Sequence, residues 1–496
     1  MKNRHLRILL STLIVALTAT SLLTIGITIQ SVSAVGQWET IANAPVTWGA
    51  QNGHRIEAMG NYIYFWQGTG SGFYRYDPSN NTWYSLASSP FTSSYAIGMV
   101  AAEDPAGNPA IYIMGGTTSA NSQRWGRYTE YNNSWTTLST SIPWSGSALQ
   151  ASATQKPANG TEFVWDGGDI IYFFPGSAYS YNRYDWYYYT ISTNTWTYKG
   201  EFGVSGDPKN GPGNSGCFVT YNGENYIYIQ FGHTPSGDYR AAKFMRYQIS
   251  TNTWTQMTQW NSVVPGEGGA DDGADLVWDG RDNLYLFPGA YCEASTRAID
   301  EYRFLTYSIS NDTWTALPDF PSPGGQGNGS DDGGAAGIVG DYVYLLKGND
   351  GNGDTPSTLF YRYQMPPATP TARATGPTGS TNNPSVSITY NYALTPTSVK
   401  LYYTTDGGAN WTLAGEDTSV DGTFDYDITS GDGTYGWNAV AIGGGSTETD
   451  PPAGGTPPEA ASLILDTTPP QAPTLVSPTD GTVTDVRTPT FTWNSV

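Results

Sequence analysis

Amide and carboxylate side chains precede a glycine at recurring points of this 496-residue chain. Each group begins nine residues before a glycine that leads into a predicted strand, and the groups supply Asn52, Asn214, Asp271, Asp272, Asp331 and Asp332. Oxygen atoms of this kind can accept sugar hydroxyls or hold a hard cation such as Ca²⁺. Asn-Gly and Asp-Gly are also preferred in tight turns, because these residues tolerate a positive φ. Turn formation alone is therefore the alternative interpretation.

A second candidate for calcium lies at Asp350, Asn352 and Asp354, which have the D-x-N-x-D spacing of a calcium-binding loop. The glycine that follows in such loops is missing, and Tyr361 stands where the acidic residue at position twelve belongs. A solvated loop is the alternative interpretation. The sequence indicates no cofactor other than this Ca²⁺.

The sequence nominates no catalytic residue. It contains no G-x-S-x-G, no H-E-x-x-H and no glycine-rich phosphate loop, so it does not support a hydrolase, a metalloprotease or a nucleotide-binding protein. Residues 404–411 resemble the Asp-box of sialidases, but the motif occurs once, and we expect Asp406 and the glycines after it to form a hairpin turn. A glycosidase would also need a placed pair of carboxylates. A chain with many loop carboxylates does not identify one.

The elements that must position these residues are strands in a repeat. A tyrosine precedes a tryptophan by seven residues five times, at Tyr76/Trp83, Tyr128/Trp135, Tyr189/Trp196, Tyr247/Trp254 and Tyr307/Trp314. An alternating aromatic and β-branched run, such as NYIYFWQG, comes before each pair, and a sixth run, DYVYLLKG, follows the last pair. Alternation with period two is typical of strands rather than helices. We therefore predict an all-β chain.

A sixth tyrosine–tryptophan pair is split between the two ends of the repeat. Tyr363 has no tryptophan after it, and Trp38 has no tyrosine before it. Closing a radial array by lending the first strand to the last sheet protects edges that would otherwise be exposed. Residues 36–365 are therefore predicted to form a six-bladed β-propeller that is closed by its N-terminal strand.

This repeat resembles kelch-type β-propellers, through the turns followed by tryptophan and the strands that end near glycine, with tryptophans 52 to 61 residues apart. Only Gly115-Gly116 keeps the glycine pair that typical kelch blades carry after the second strand. The resemblance implies a fold and leaves the function open, because propellers host enzymes, binding proteins and scaffolds. It also raises galactose oxidase as an enzymatic precedent. After the N-terminal segment the chain has only His54 and His233, too few for that copper site.

Aromatic residues at the ends of the second strands offer another surface for a ligand. They include Trp66, Tyr179, Tyr239 and Tyr291, and they lie in connections of very unequal length. Variable loops on a rigid scaffold often carry binding sites, and Tyr and Trp suit both glycans and protein surfaces. The alternative is that these side chains cover the hydrophobic edges of the blades.

Residues 1–34 have the features of a signal peptide: basic residues, an apolar stretch, and Val32-Ser33-Ala34 in the form of a signal-peptidase site. The sequence thus predicts an exported protein, secreted or at the cell surface. The apolar stretch is also long enough for an uncleaved N-terminal membrane anchor. We expect no other contact with a membrane, except through an anchor that follows residue 496.

The composition changes after the repeat. Residues 366–378 are predicted to form a Pro/Thr-rich linker, and residues 379–465 resemble an immunoglobulin-like or fibronectin type III sandwich. Residues 466–473 read as a second linker. Residues 474–496 resemble the first strands of a further Ig-like domain and are too few to close a sandwich. We therefore expect this sequence to be a fragment of a longer product.

Charge limits the partners. The chain has 22 Lys and Arg against 43 Asp and Glu, for a net charge of −21, and nucleic acid requires clustered cationic surface. N-x-S/T sequons begin at six asparagines: Asn80, Asn132, Asn159, Asn311, Asn328 and Asn410. Asn80, Asn132 and Asn311 lie in the tyrosine-to-tryptophan turns, and we expect turn chemistry to account for them. Cys217 and Cys292 fall in neighbouring predicted blades, where export permits a disulfide; two unpaired thiols are the alternative.

These features together predict a non-catalytic, exported modular surface protein whose propeller binds a glycan or another surface protein. The rival from another class is an extracellular carbohydrate-active propeller enzyme, with the four aspartates at 271, 272, 331 and 332 supplying acid–base or metal function. A purely structural component of the cell envelope is the third alternative. Nucleic acids and nucleotides are not expected partners.

Overall fold

The computed structural model describes most of the chain after residue 35. The described residues are 36–46, 56–68, 70–92, 98–115, 124–140, 142–143, 160–176, 185–201, 214–232, 243–260, 263, 270, 273–289, 303–321, 334–350, 355–367, 370–394, 396–443, 448, 450–460 and 462–495. The chain divides into two compact units, Met1–Pro366 and Pro367–Val496. The predicted signal peptide, residues 1–34, lies outside the described residues.

Within the described residues, the first unit contains six four-stranded antiparallel sheets, numbered here along the chain. Sheet 1 has β2 (Ile56–Met59), β3 (Tyr62–Trp66), β4 (Phe73–Asp77) and β5 (Thr82–Ser85); sheet 2 has β6 (Gly98–Glu103), β7 (Pro109–Gly115), β8 (Arg124–Thr129) and β9 (Ser134–Thr137); sheet 3 has β10 (Glu162–Trp165), β11 (Ile170–Phe174), β12 (Asp185–Thr190) and β13 (Thr195–Glu201). Sheet 4 has β14 (Ser215–Tyr221), β15 (Glu224–Gln230), β16 (Phe244–Gln248) and β17 (Thr253–Gln256); sheet 5 has β18 (Asp275–Trp278), β19 (Asn283–Phe287), β20 (Leu305–Ser308) and β21 (Thr313–Ala316); sheet 6 has β22 (Ala335–Val339), β23 (Tyr342–Leu346), β26 (Phe360–Gln364) and β1 (Trp38–Thr40).

The all-β prediction is confirmed, and the arrangement is β-propeller-like. The first strands of consecutive sheets contact one another in the order β2, β6, β10, β14, β18, β22 and back to β2. These contacts close a ring. The second strands are covered on both faces, as the continuous burial of residues 63–66 in β3 illustrates, which explains their unbroken apolar sequence. Helix is almost absent from the described residues: Glu130–Asn132 form a 3-10 turn, and Trp260 has the same conformation.

The ring is completed by the strand nearest the N-terminus. β1 pairs antiparallel with β26, and Trp38 stands opposite Tyr363 in that register. The five other tyrosine–tryptophan pairs have the same cross-strand register, for example Tyr128 opposite Trp135. The predicted split pair is therefore confirmed, because Trp38 supplies the tryptophan that Tyr363 lacks in sequence.

An aromatic ring from each sheet packs against both the tyrosine and the tryptophan of the next, which also contact each other. Phe244 of sheet 4, for instance, lies with its ring centroid 4.9 Å from those of both Tyr307 and Trp314 of sheet 5, in edge-on geometry. Such pairs are favourable beyond the burial of their area. The same contact occurs at all six boundaries, through Phe73, Trp125, Trp186, Phe244, Phe304 and Phe360.

Hydrogen bonds join the same boundaries. At the boundary of sheets 1 and 2, the Asn133 side-chain oxygen accepts from the Tyr128 hydroxyl and from the Ala87 backbone N–H, both at 2.9 Å. The Trp135 indole N–H donates to the Ala87 carbonyl at 2.8 Å. Asn133 has φ 48°, a left-handed conformation that Asn tolerates. Equivalent indole bonds are made by Trp83, Trp196, Trp314 and Trp38.

The second unit is built from two sheets that enclose one hydrophobic core. One sheet has the order β27 (Thr371–Gly376), β29 (Ser385–Ala393) and β32 (Thr423–Asp427); the other has β28 (Gly379–Thr381), β34 (Leu463–Leu465), β33 (Gly433–Ile442), β30 (Ser398–Thr404) and β31 (Thr412–Asp417). Trp437, fully buried, lies at the centre of the core. Each unit also has a separate two-stranded sheet. The first unit has β24 (Asn349–Asp350) with β25 (Thr355–Pro356), and the second has β35 (Leu475–Ser477) with β36 (Thr492–Trp493).

The prediction of an unpacked linker over residues 366–378 is wrong for its second half. β27 occupies residues 371–376, and Ala372 and Ala374 are buried in the core of the second unit. Threonine and arginine alternate with these alanines on the exposed face. The side chains are small enough to fit between the sheets, so a segment with little apolar area still packs.

Two glutamates join β27 to β33. The Glu459 carboxylate accepts backbone N–H bonds from Ala374 at 2.7 Å and Ala439 at 3.1 Å. Glu448 does the same for Ala372 and Ala441, at 3.0 and 2.7 Å. Burial raises the pKa of Glu459, and these hydrogen bonds and the charge of Arg373 only partly oppose that rise.

No helix among the described residues is long and apolar enough to cross a membrane.

Removing the Trp38 side chain should weaken the closure of the ring. Trp38→Ala deletes ring contacts to Phe287, Phe304 and Phe320 and the indole bond to the Pro318 carbonyl. We expect a loss of about 3 kcal/mol in the free energy of unfolding, measured by urea denaturation. Trp38→Phe keeps one ring but loses the hydrogen bond and part of the ring contacts, so it should cost less than Trp38→Ala, about 1–2 kcal/mol. An unchanged unfolding midpoint for Trp38→Ala would contradict this role.

The raised pKa of Glu459 has a testable sign. The folded state holds this proton more tightly than the unfolded state, so stability falls as pH rises from the unfolded pKa, about 4.3, through the folded pKa. Glu459→Gln keeps an acceptor oxygen and removes the charge. The stability of the variant relative to the natural protein should therefore increase as the pH is raised from 4 to 7. Native-state hydrogen exchange of residues 433–442 measures this. Glu459→Ala leaves two N–H groups unpaired, so residues 433–442 should be less protected from exchange than in the natural protein at pH 4 and at pH 7.

Candidate functional site

A cavity of about 430 Å³ lies on the axis of the ring and is lined by the first strands of all six sheets. Its volume is within the range of small-molecule sites, roughly 300–1,000 Å³. The lining combines aromatic, aliphatic and carboxylate side chains. This cavity is the candidate functional site that the described residues provide.

Three aromatic side chains form an arc on one side of the cavity. Trp165, Phe218 and Trp278 occupy the same position in sheets 3, 4 and 5, since each pairs with the residue before the second-strand tyrosine. On sheets 1 and 2 the equivalent position is alanine, Ala58 and Ala101. The equivalent residue of sheet 6 is Ile338. The three aromatic residues therefore lie across the axis from two alanines and an isoleucine.

Hydrogen bonds fix the two indoles of the arc. The Trp165 N–H donates to the Gly168 carbonyl at 2.8 Å, and the Trp278 N–H donates to the Arg281 carbonyl at 2.9 Å. Both acceptors belong to the tight turn that follows the strand. The indole edges are thus held by the turns, while both residues, half-buried, still line the cavity.

Glu57 lies across the axis from this arc. It belongs to sheet 1, which the order of strand contacts places opposite sheet 4. Glu57 pairs with Tyr64 as Cys217 of sheet 4 pairs with Tyr228, so the carboxylate and the thiol occupy equivalent positions on opposite sheets. Glu57 is the residue before Ala58, which occupies the position equivalent to the aromatic residues of the arc. The carboxylate therefore lies one residue along the strand from that position.

Two other carboxylates of the cavity are buried and tie sheets together. Glu162 of sheet 3 accepts from the Gly216 N–H of sheet 4 at 3.2 Å. Asp275 of sheet 5 accepts from the Ala336 N–H of sheet 6 at 2.5 Å. Glu162 and Asp275 are 5% and 6% exposed, so these bonds offset part of the cost of burying charge.

The amide and carboxylate groups that precede glycines in the sequence are only partly described. Asn52, Asp271, Asp272, Asp331 and Asp332 lie outside the described residues. Asn214 is fully buried, and its side-chain oxygen accepts from the Gly232 N–H at 3.0 Å. Gly160 and Gly273, which follow two of the groups, have φ of 74° and 77°. Asn214 thus joins the start of β14 to the residues after β15, and the two glycines have the positive φ that tight turns use. A ligand-binding role for the other residues stays a prediction.

Trp66 was predicted to be a ligand-binding aromatic residue of a loop, and this prediction is wrong. It is the last residue of β3 and is fully buried in the cluster between sheets 1 and 2. Both faces of a second strand are covered by neighbouring sheets, so an aromatic residue there is drawn into the core. The other three candidates, Tyr179, Tyr239 and Tyr291, lie outside the described residues.

The calcium hypotheses receive no support from the described residues. Asp350 is in the short strand β24, and Asn352 and Asp354 lie outside the described part of the chain. Where the structure describes side chains, no group of three His, Cys, Asp or Glu is arranged to hold a metal ion.

The Asp406 motif forms a turn between β30 and β31, as predicted from its sequence. The Asp406 carboxylate accepts from the Asn410 N–H at 2.9 Å and from the Thr404 hydroxyl at 2.7 Å. These bonds, that of Asn410 first, lower the pKa of Asp406 to about 2. The carboxylate is therefore a structural acceptor.

Cys217 is a free thiol in this structure, which does not support the predicted disulfide. Its proposed partner, Cys292, lies outside the described residues, and the bridge stays a prediction. Although part of the residue borders the cavity, Cys217 lies deep in the ring. Burial raises the pKa of its thiol well above the usual value, and the charges of Glu162 and Asp275 act in the same direction.

The arc and Glu57 were not predicted from the sequence, although one signal for the arc was present. Val-Trp-Asp-Gly occurs twice, at residues 164–167 and 277–280, at the end of a first strand. A tryptophan directly before the turn of two first strands could have been assigned to the axis. Nothing in the sequence places Phe218 or Glu57 beside them.

The state of Cys217 can be measured directly. Because its raised pKa keeps the thiolate scarce, we expect alkylation of the native protein to be slow and alkylation after denaturation without reductant to be complete. Mass spectrometry of the labelled peptides gives both rates. A Cys217 that remains unlabelled in denaturant until a reductant is added would contradict the free thiol.

Comparisons with known proteins add little to this geometry. No family model and no curated protein matches the chain. Among solved structures, the chain is similar to one chain of the crystal structure of a nidogen/laminin complex, with 11% identity, a TM-score of 0.36 and coverage of 58% of this chain and 85% of that chain.

Proposed function

We propose that the first unit is a six-bladed kelch-type β-propeller that binds a glycan in its axial cavity without catalysing a reaction. The second unit is an Ig-like spacer in this proposal, and the whole chain is an exported surface protein. The ring of six four-stranded sheets, closed by β1, supports the propeller assignment. The two packed sheets with a shared core support the spacer.

The observation that carries the proposal is the aromatic arc opposite a carboxylate. A pyranose ring has an apolar face and a rim of hydroxyls. Trp165, Phe218 and Trp278 line the cavity while they also pack against the clusters at the sheet boundaries. The apolar area that they offer to a ligand is therefore held in place and loses little rotamer freedom on binding. Glu57, across the axis, is an acceptor for hydroxyl hydrogen bonds, which are stronger when the acceptor is charged.

The roles of the other cavity carboxylates favour binding over catalysis. Hydrolysis of a glycoside uses two carboxyl groups that flank the scissile bond, one of them able to give or take a proton. Glu162 and Asp275 instead accept backbone N–H bonds that tie neighbouring sheets. Their positions are thus explained by the construction of the ring.

The proposal is tested with the secreted full chain on an array of pyranose mono- and disaccharides, followed by calorimetry with the strongest ligand. Trp278→Ala should reduce affinity about tenfold, which corresponds to ~1.4 kcal/mol, and Glu57→Gln should reduce it by a similar factor. Tyr84→Ala, which removes an exposed aromatic residue of the outer strand β5, is the matched control and should bind normally.

Two outcomes would overturn the proposal. Full affinity in Glu57→Gln and Trp278→Ala would move the binding site away from the axial cavity. Release of free sugar from a bound oligosaccharide would replace the binding protein with the carbohydrate-active enzyme of the alternative interpretation. Glu57→Gln keeps the shape of the side chain, so its result does not depend on how well Trp278→Ala folds.

A further inference from the structure

The turns between the third and fourth strands of sheets 1 to 5 share one conformation, and one residue in each explains it. That residue is left-handed, with φ between 48° and 55°, and its side-chain oxygen accepts from the hydroxyl of the turn tyrosine: Asn81, Asn133, Asn194, Asn252 and Asp312. This residue therefore supplies both the left-handed φ and the hydrogen bond that the turn needs.

The sequon asparagines Asn80, Asn132 and Asn311 stand one residue earlier. In sheets 3 and 4 the same position is Thr193 and Thr251, and those turns have the same left-handed residue after it. Threonine thus satisfies the turn as well as asparagine does. The expected turn chemistry does occur at two of the three, because the Asn80 amide donates to the Tyr84 hydroxyl and the Asn311 amide to the Ser308 hydroxyl, both at 2.9 Å. Threonine in sheets 3 and 4 indicates that the turn does not require an asparagine there.

These asparagines are placed as acceptors for a modifying enzyme. All three are exposed, and each is followed two residues later by a hydroxyl residue at the start of the fourth strand: Thr82, Ser134 and Thr313. The Ser134 hydroxyl donates to the Asn132 side-chain oxygen at 2.8 Å. We infer that Asn80, Asn132 and Asn311 are N-glycosylation sites on the turns of sheets 1, 2 and 5.

The reaction requires a polyprenyl phosphate- or diphosphate-linked oligosaccharide as donor and an oligosaccharyltransferase as catalyst. A bond forms between the asparagine Nδ2 and the anomeric carbon of the first sugar. The bond from that carbon to the phosphate oxygen breaks, the lipid-linked phosphate leaves with the electron pair, and Nδ2 loses one proton. The second Nδ2 hydrogen remains, so Asn311 can keep its bond to the Ser308 hydroxyl at 2.9 Å.

Glycans at these positions would leave the axial cavity clear. The turns connect the third and fourth strands of each sheet, whereas the cavity is lined by the first strands. Asn410 in the second unit is a contrasting case, because its side-chain amide donates to Asp406 at 2.8 Å and its backbone N–H donates to the same carboxylate. Asn80 also donates its side-chain amide within its turn, but threonine takes its place in the equivalent turns of sheets 3 and 4. Asn410 has no such equivalent turn for comparison, so it is not included.

The test uses the full chain, secreted from a cell that has an oligosaccharyltransferase, with a flexible Gly-Asn-Gly-Thr peptide appended at the C-terminus as an internal acceptor. Glycopeptide mass spectrometry should find glycan on the appended peptide and on Asn80, Asn132 and Asn311. Asn80→Thr, Asn132→Thr and Asn311→Thr copy the turns of sheets 3 and 4, and each should lose one glycan. Thr193→Asn creates the same tripeptide in sheet 3 and should gain one.

Two results would overturn the inference. Modification of the appended peptide alone would show that the host is competent and that the three turns are not acceptors. A lower melting temperature of the three Asn→Thr variants, measured on protein from a cell without the transferase, would show that the turns need asparagine after all. Neither result depends on whether the axial cavity binds a sugar.

Discussion

An aromatic ring packed against both a tyrosine and a tryptophan of the next sheet is the contact on which the first unit depends. No sheet makes this contact by itself, since Tyr307 and Trp314 of sheet 5, for example, receive Phe244 from sheet 4. The cohesion of the unit therefore belongs to the boundaries between sheets. The axial cavity inherits this dependence, because its walls are the first strands of all six sheets.

Much of the fold was readable because its signals are local and repeated. Alternating aromatic runs predicted the second strands, and the unpaired Trp38 and Tyr363 predicted the closing pair. The aromatic residue that packs against the next sheet also has a sequence signal, which was not used: it stands three positions before each turn tyrosine. Failures came where local pattern and environment differ. Ala372 and Ala374 gave no apolar signal yet are buried, and Trp66 resembled a loop residue yet closes a core strand.

The candidate site was less predictable, for a geometrical reason. Trp165 and Trp278 sit in matching sequence contexts, but their relation to Glu57 depends on which sheets lie across the axis. That relation is fixed by the number of sheets and by closure, which are properties of the whole ring. The sequence did indicate turn-forming asparagines, but comparing the five turns was needed to separate Asn133, which makes the turn, from Asn132, which does not.

The pairing of β1 with β26 also sets the order in which the first unit can mature. Arg362 and Glu39, whose side chains bond across these strands, are 323 residues apart in sequence. A growing or emerging chain must hold its first strand without a partner until its last strand appears, and joining them closes a loop of that length. Ring closure is thus the final long-range event, and the boundary of sheets 5 and 6 cannot acquire its Trp38 ring before it. Until then the edges of sheet 6 and of β1 remain open to pairing with other chains.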